Sequence, residues 1–428
     1  MKRFLLVAVV AAVTLSACGG SSKSGGSSSS KHVNIVLWHG FTSPGAELDA
    51  IKVMTAEFNR THRNITVTPQ FSGNSDYALQ KVLAAIAAGN PPDISYLYGS
   101  WSANIATTPA LAPLTRYIAQ DPSFGWNDFW AVERGVATVK GKVVGVPALV
   151  DNLALVYNKK LFAQAGLAPP TPNWTWTDFQ NAAVKLTNAA KKQFGWAYVN
   201  DGSEDTVWRF WAMLWQAGGS ILAPGNKQAA FDSPAGVQAL TLLQNLSRRQ
   251  SIYLDTGSGN YIGLFNSGHI GMLWTGPWDL AQIASTPVSF GVQVLPGDLN
   301  HQTIAGPDNW VVFDNGSARS HAAYQFLKWF TSPAVNLEWC LRTGDLPIRA
   351  ATTKLPGFQK YLAKYPGDRV WVQNLNNALQ ARPVLASYPK ISTVIGQAVQ
   401  SVLLGKASPQ QALSSASQQV NGILAAPS

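Results

Sequence analysis

Residues 143–162, V-V-G-V-P-A-L-V-D-N-L-A-L-V-Y-N-K-K-L-F, constrain this chain more than any other stretch. Two short apolar runs, 143–146 and 153–156, are rich in valine and leucine and read as buried strands. Pro147 and the polar pair Asp151-Asn152 break what would otherwise be one long apolar segment. A carboxylate in that setting is costly unless something answers it, so Asp151 is either paired within the fold or turned toward a polar ligand. Two topologies satisfy this. The chain crosses from one lobe to another with Asp151 in the cleft between them, or it turns back in a hairpin that Asp151 caps.

The residues before this stretch favour a layered α/β lobe. A strand at 33–37 is followed by Ser43-Pro44, an N-cap with proline at the first helical position, and by Leu48, Ile51, Met54 and Phe58 at helical spacing. A second strand at 65–68, a helix at 77–88 and a third strand at 94–98 complete a β-α-β-α-β order, which predicts a parallel sheet. Ligands of such sheets bind beyond the carboxyl ends of the strands, here 38–42, 71–77 and 98–101. Asn74, Tyr77, Ser100 and Trp101 become candidates by that position.

Beyond the stretch, residues 204–216 carry Trp208, Trp211 and Trp215 at helical spacing before Gly218-Gly219. Three indoles on one helix face either pack into a core or form a platform for a flat ligand. Thr275-Gly276-Pro277-Trp278 fixes its backbone with a Gly-Pro turn, so the Trp278 indole has little entropy left to lose on binding. Packing between lobes is the other reading of Trp278. Asp308 falls in the segment 305–309, where the chain is expected to return to the first lobe. Aromatic faces with carboxylates between them suit sugars, whose C–H faces are apolar and whose hydroxyls seek charged acceptors.

Enzyme signatures are sparse. No G-x-S-x-G or H-E-x-x-H motif occurs, the six histidines lack metal-ligand spacing, and Gly257-Ser258-Gly259 lacks the strand and third glycine of a dinucleotide loop. No cofactor or metal is expected. A glycosidase needs two carboxylates flanking the scissile bond; Asp151, Glu204, Asp205, Asp279 and Asp308 are available, but nothing in their setting favours a pair. The formal charge of +10 is spread over scattered basic residues, the longest runs being pairs such as Lys159-Lys160. That argues against nucleic acid and for a surface near anionic lipid or wall polymer.

The amino terminus gives an address. Lys2-Arg3, an uncharged run at 4–15 and Leu15-Ser16-Ala17-Cys18 make a secretory signal peptide (1–17) with a lipobox, implying cleavage before Cys18 and lipidation of its sulfur. Residues 18–31 then form a lipidated cysteine and a Gly/Ser-rich tether. The remainder divides into lobe 1 (32–149, with a return segment 305–346) and lobe 2 (150–304, with a C-terminal segment 347–428). Cys340, the other cysteine, is expected to act as a core hydrophobe.

The run G-V-P-A-L-V-D-N-L-A-L-V-Y-N-K-K-L-F-A-Q-A-G-L resembles the crossover of family 1 extracellular solute-binding proteins, the maltodextrin-binding type that serves ABC importers. Leu37-Trp38-His39-Gly40, Glu57-Phe58-Asn59, residues 84–94, the F-x-x-G…G-P-W element ending at Trp278 and Thr343-Gly344-Asp345-Leu346-Pro347 resemble that family in order and spacing. The resemblance implies a two-lobed periplasmic-binding-protein-like fold: two α/β lobes, each a mostly parallel sheet flanked by helices, with a ligand cleft between them. It implies that Asp151 hydrogen-bonds a sugar, that Trp208 and Trp211 stack on it, and that Trp278 stacks on a pyranose ring. It further implies a monomeric receptor, anchored by lipid outside the cytoplasm, that hands a mono- or oligosaccharide to permease subunits. The family also includes binders of glycerophosphate and its diesters, for which Arg349 and Arg382 are the candidate phosphate ligands. Ser100-Trp101 stand where the maltodextrin branch has an Asp-Arg pair, and Ser392 where it has its last stacking tryptophan, so maltodextrin itself fits poorly.

Overall fold

The computed structural model describes residues 32–42, 45–257, 259–365 and 367–426. The signal peptide, Cys18, the tether and the Ser43-Pro44 cap lie outside the described residues. Strands β1 (Val33–His39), β2 (Ile65–Phe71) and β3 (Ile94–Tyr98) are parallel, in the order β2-β1-β3, with helices Ala46–Thr61 and Ala78–Ala87 between them. The first helix buries Ile51, Met54 and Phe58 of the stripe that the spacing predicts, while Leu48 is half-buried.

A small hairpin, β4 (Thr138–Val139) with β5 (Lys142–Val143), precedes β6 (Gly145–Asp151), every residue of which is buried. The chain then enters a second sheet through β7 (Ala154–Asn158). That sheet adds β8 (Phe194–Val199), β9 (Ile252–Asp255), β10 (Ile270–Thr275) and β11 (Phe290–Gln293), in the order β11-β7-β10-β8-β9. The chain returns by β12 (Ile304–Val312), which pairs with β3 and β6, and β13 (Gln380–Ala381) pairs with the start of β12. Asp151 therefore ends a strand that leaves one sheet for another; the hairpin alternative does not hold.

The sheets are less parallel than expected. Each has a three-strand parallel block, but β7 runs antiparallel to β10 and β11, and β12 antiparallel to β3 and β6. The reason is the direction of entry. The parallel strands run toward the cleft, whereas β7 and β12 begin there and must run away from it. Pro147 is tolerated inside β6 because it lies opposite Asn309, where the register of β12 shifts next to Asp308, so a missing N–H falls at an irregularity.

The C-terminal segment also divides differently. Helices Ala350–Thr353 and Pro356–Lys364 pack on Pro333–Thr343 in the first lobe. Arg349 fixes this segment by donating to the carbonyls of Phe124, Gly125 and Thr331. The chain thus leaves lobe 1 after Lys364 and not at 347; the Thr-Gly-x-x-Pro turn is a local turn. Helix Asp368–Asn374 then packs on β7 and β11, and helices Tyr388–Leu403 and Pro409–Ala425 finish lobe 2.

Three passages between lobes lie side by side and are clasped by amides. Asn152 Nδ2 donates to the carbonyl of Trp371 at 2.9 Å, and Asn374 Nδ2 to Asn152 Oδ1 at 3.2 Å and the Leu153 carbonyl at 2.8 Å. The Thr303 hydroxyl accepts from the Leu153 N–H at 2.9 Å and donates to the Leu153 carbonyl at 2.8 Å. Asn152, Thr303 and Asn374 are fully buried, so each of these bonds is made away from water, where leaving one unmade is costly.

Candidate functional site

A cavity of about 340 Å³ opens between the lobes. The first lobe contributes the ends of its parallel strands: Phe41 after β1, Asn74 and Asp76 after β2, and Tyr96 and Tyr98 on β3. The second lobe contributes Glu204, Asp205 and Trp208 from the first turns of helix Glu204–Gln216, with Tyr261, Trp278 and Asp279. Asp151, Gly306 and Asp308 come from the crossing strands, and Arg382 follows β13.

Glycines set two of the indoles. A Cβ on Gly306 would stand 2.5 Å from the Trp208 ring, and one on Gly276 would overlap the ring of Trp278. Both rings lie against bare backbone, which fixes their tilt. Trp208 is 6% exposed and its indole N–H has no hydrogen-bond partner among the described residues, while Trp278 is half-buried.

Arg382 spans the cleft. It pairs with Glu204 of lobe 2 at 3.4 Å and with Asp308 of β12 at 3.2 Å, and its guanidinium lies 5.1 Å from the Tyr98 ring centroid and 4.7 Å from that of Trp208. Glu204 also accepts from Tyr388 Oη at 2.9 Å and from the Ser392 hydroxyl. Ser392, where the resembled family carries an indole, is thus a carboxylate partner. Asp308 accepts from Tyr96 Oη at 2.5 Å and the Gly99 N–H at 3.2 Å. Burial pushes the Asp308 carboxyl up to about 6 despite these partners. Burial also raises Asp279 to about 6, although it accepts from Thr275 and Tyr261. Asp76, which accepts from Tyr98 Oη at 3.0 Å, rises to about 7 through burial and the nearby Asp205 carboxylate.

Of the residues singled out from sequence, Asn74, Asp151, Trp208, Trp278 and Asp308 meet at this cavity. Four do not line it. Trp211 is fully buried, its Nε1–H donating to Tyr388 Oη at 3.1 Å, because it lies around the helix from Trp208 on the side facing helix Tyr388–Leu403. Ser100 and Trp101 are buried behind the wall, Trp101 packing on the Tyr98 ring at 4.6 Å. Tyr77 is 60% exposed and points away. Sequence reasoning missed Phe41, Glu47, Asp76, Tyr96, Tyr98 and Tyr261. Tyr96 and Tyr98, two apart on one strand, share a face, a signal that was there to be read. Arg349, a phosphate candidate, lies in lobe 1 over the Phe129 ring at 3.7 Å, outside the cavity.

Comparison with known proteins matches this architecture. Residues 43–337 match the family described as bacterial extracellular solute-binding protein. The sn-glycerol-3-phosphate-binding periplasmic protein of Pectobacterium atrosepticum is 25% identical over 413 residues, covering 91% of each chain. The ABC substrate-binding protein of Listeria monocytogenes in complex with cycloalternan superposes with a TM-score of 0.83 and 27% identity, covering 92% of this chain and 99% of that one. The cyclic alpha-maltosyl-1,6-maltose binding protein of Arthrobacter globiformis gives a TM-score of 0.76 at 29% identity, covering 92% and 99%. With strands, crossings and cleft in these positions, the chain belongs to the bacterial extracellular solute-binding protein family.

Proposed function

We propose that this protein captures a carbohydrate in the cleft between its lobes and delivers it to the permease subunits of an ABC importer. One observation carries the reading: two indoles, one phenyl and three phenol rings line the interlobe cavity together with carboxylates. Apolar sugar faces stack on the rings, while hydroxyls donate to Asp151, Asp279 and Asp308. Closing of the lobes about the three crossings would make the liganded form distinct to its permease. The solved relatives at 27% and 29% identity, one in complex with cycloalternan and the other a cyclic alpha-maltosyl-1,6-maltose binding protein, support this class.

The protein is proposed to act as a lipid-anchored monomer outside the cytoplasm, held through Cys18, and not as an enzyme. A Cys18→Ala variant is then expected in the medium, and oligosaccharides incubated with the protein are expected intact. Hydrolysis would sink the receptor reading in favour of a glycosidase.

Glycerophosphate or its diesters form the second reading, favoured by the name of the Pectobacterium relative. The cavity offers phosphate one guanidinium, Arg382, and that group is already held by two carboxylates. A thermal-shift panel of saccharides and glycerophosphodiesters tests both. A solute at a hundred times its dissociation constant should stabilise by about 2.7 kcal/mol. Trp278→Ala should abolish the shift while leaving the unliganded melting temperature near wild type, and a large loss of unliganded stability would make Trp278 a packing residue.

A further inference from the structure

The cleft inverts the charge of the molecule that carries it. The chain has 32 Lys and Arg against 22 Asp and Glu, yet the twenty residues lining the cavity include seven carboxylates and one guanidinium. Part of this charge is answered internally. Arg382 pairs with Glu204 and Asp308, Arg209 pairs with Asp205, and hydroxyls of Tyr98 and Tyr261 donate to Asp76 and Asp279.

Asp151 and Glu47 remain. Asp151 is 8% exposed, lines the cavity, and its Oδ1 is buried with no hydrogen-bond partner among the described residues. Burial, followed by the carboxylates of Asp345, Asp308 and Glu47, pushes its carboxyl well above the usual range. Glu47, half-buried on the same cavity, has a hydrogen bond from its own backbone N–H, yet burial and then Asp345 push it up to about 8. A sugar hydroxyl can make one hydrogen bond to Asp151 but leaves both acids holding the protons that burial and their mutual repulsion impose. A protonated amine donates two or three bonds and lets the carboxyls ionise against its own charge. A quaternary ammonium cancels charge but has no N–H for Oδ1.

We propose that the solute is a saccharide or cyclitol bearing a protonatable amine, with its ammonium seated between Asp151 and Glu47. This inference rests on the carbohydrate reading of the same cleft. The ring of the solute lies against the indoles, and its amine turns toward the crossing strand that carries Asp151.

Calorimetric titration of the mature protein at pH 7 tests it with matched triplets. Each triplet is the amino, acetamido and hydroxy form of one gluco, galacto or manno scaffold, as mono- and disaccharides, joined by aminocyclitols with their parent inositols. In at least one set the amine should bind ten or more times tighter than both neutral counterparts. Asp151→Asn should erase that preference, as should Glu47→Gln, a second variant at a half-buried position that spares the fold if the first does not. A neutral member that binds as tightly as its amine in every set where binding occurs overturns the inference and leaves the carbohydrate reading intact. Binding of no saccharide or cyclitol in any form overturns both. An amine preference that survives in both variants overturns the placement at Asp151 and Glu47.

Discussion

Arg349 and Arg382 are both almost wholly buried and both lie in the C-terminal segment, yet the fold uses them in opposite ways. Arg349 donates to three backbone carbonyls and lies over Phe129, so its partners are mostly neutral and belong to one lobe. Arg382 is held by two carboxylates, one from each lobe, between two aromatic rings. The first closes a lobe on itself. The second ties the lobes together and balances charge in the cleft. A buried guanidinium is therefore a poor sign of function until its partners are known.

The sharpest way to break this comparison is to remove each charge. Arg382→Met keeps much of the aliphatic stem but leaves Glu204 and Asp308 unpaired, and at pH 8 should cost about 3–5 kcal/mol in denaturant unfolding. That loss should shrink toward pH 5, because Asp308, with its carboxyl near 6, protonates and no longer presents an unanswered charge. Arg349→Met should cost about 3 kcal/mol through orphaned carbonyls, with little change over the same range. Equal pH dependence in the two variants would abolish the distinction. Gly306→Ala, whose methyl would press on the Trp208 ring beside Arg382, should cost about 2 kcal/mol and weaken solute binding.

The smallest effect concerns the unliganded protein between pH 6.5 and 8. Burial holds Glu47 near 8 and Asp76 near 7, so the folded form keeps protons that the unfolded chain has released, and stability falls as pH rises through this window. His39 works in the opposite direction, but only at lower pH. Burial and then Lys52 lower it to about 4, so stability is lost as the unfolded imidazole protonates below about 6.5. Melting temperature should therefore decline from pH 6.5 to 8, and Glu47→Gln should flatten much of that decline. A flat wild-type profile would show that the cleft acids are ordinary.

Much of the fold was legible because it is written locally. The β-α-β-α-β order, the helix at 204–216 and the crossing at Asp151 follow from periodicity and from one carboxylate set among apolar residues. The candidate site was legible where side chains lie on strand ends, in the first turns of helix Glu204–Gln216 or on a marked turn, as with Trp278. Arg382 carries no local signal, because its place depends on β13 pairing with a strand some seventy residues earlier. Trp211 shows the converse. Its spacing matches Trp208, but it sits nearly a turn farther along the helix, where it meets Tyr388 and not the cavity. The boundary at 347 failed for a related reason, since the turn there resembles a landmark while the packing of residues 350–364 is tertiary.

The amides and hydroxyl of Asn152, Thr303 and Asn374 link one passage to the next, with Asn152 reaching the Trp371 carbonyl on the short helix Asp368–Asn374. Swinging of the two halves can leave every one of those bonds made, so the axle itself resists little. Resistance to motion then resides inside the cleft, chiefly in Arg382 and its two anionic partners. Such a receptor can have its grip on a solute retuned by substitutions that change how firmly its two halves hold each other.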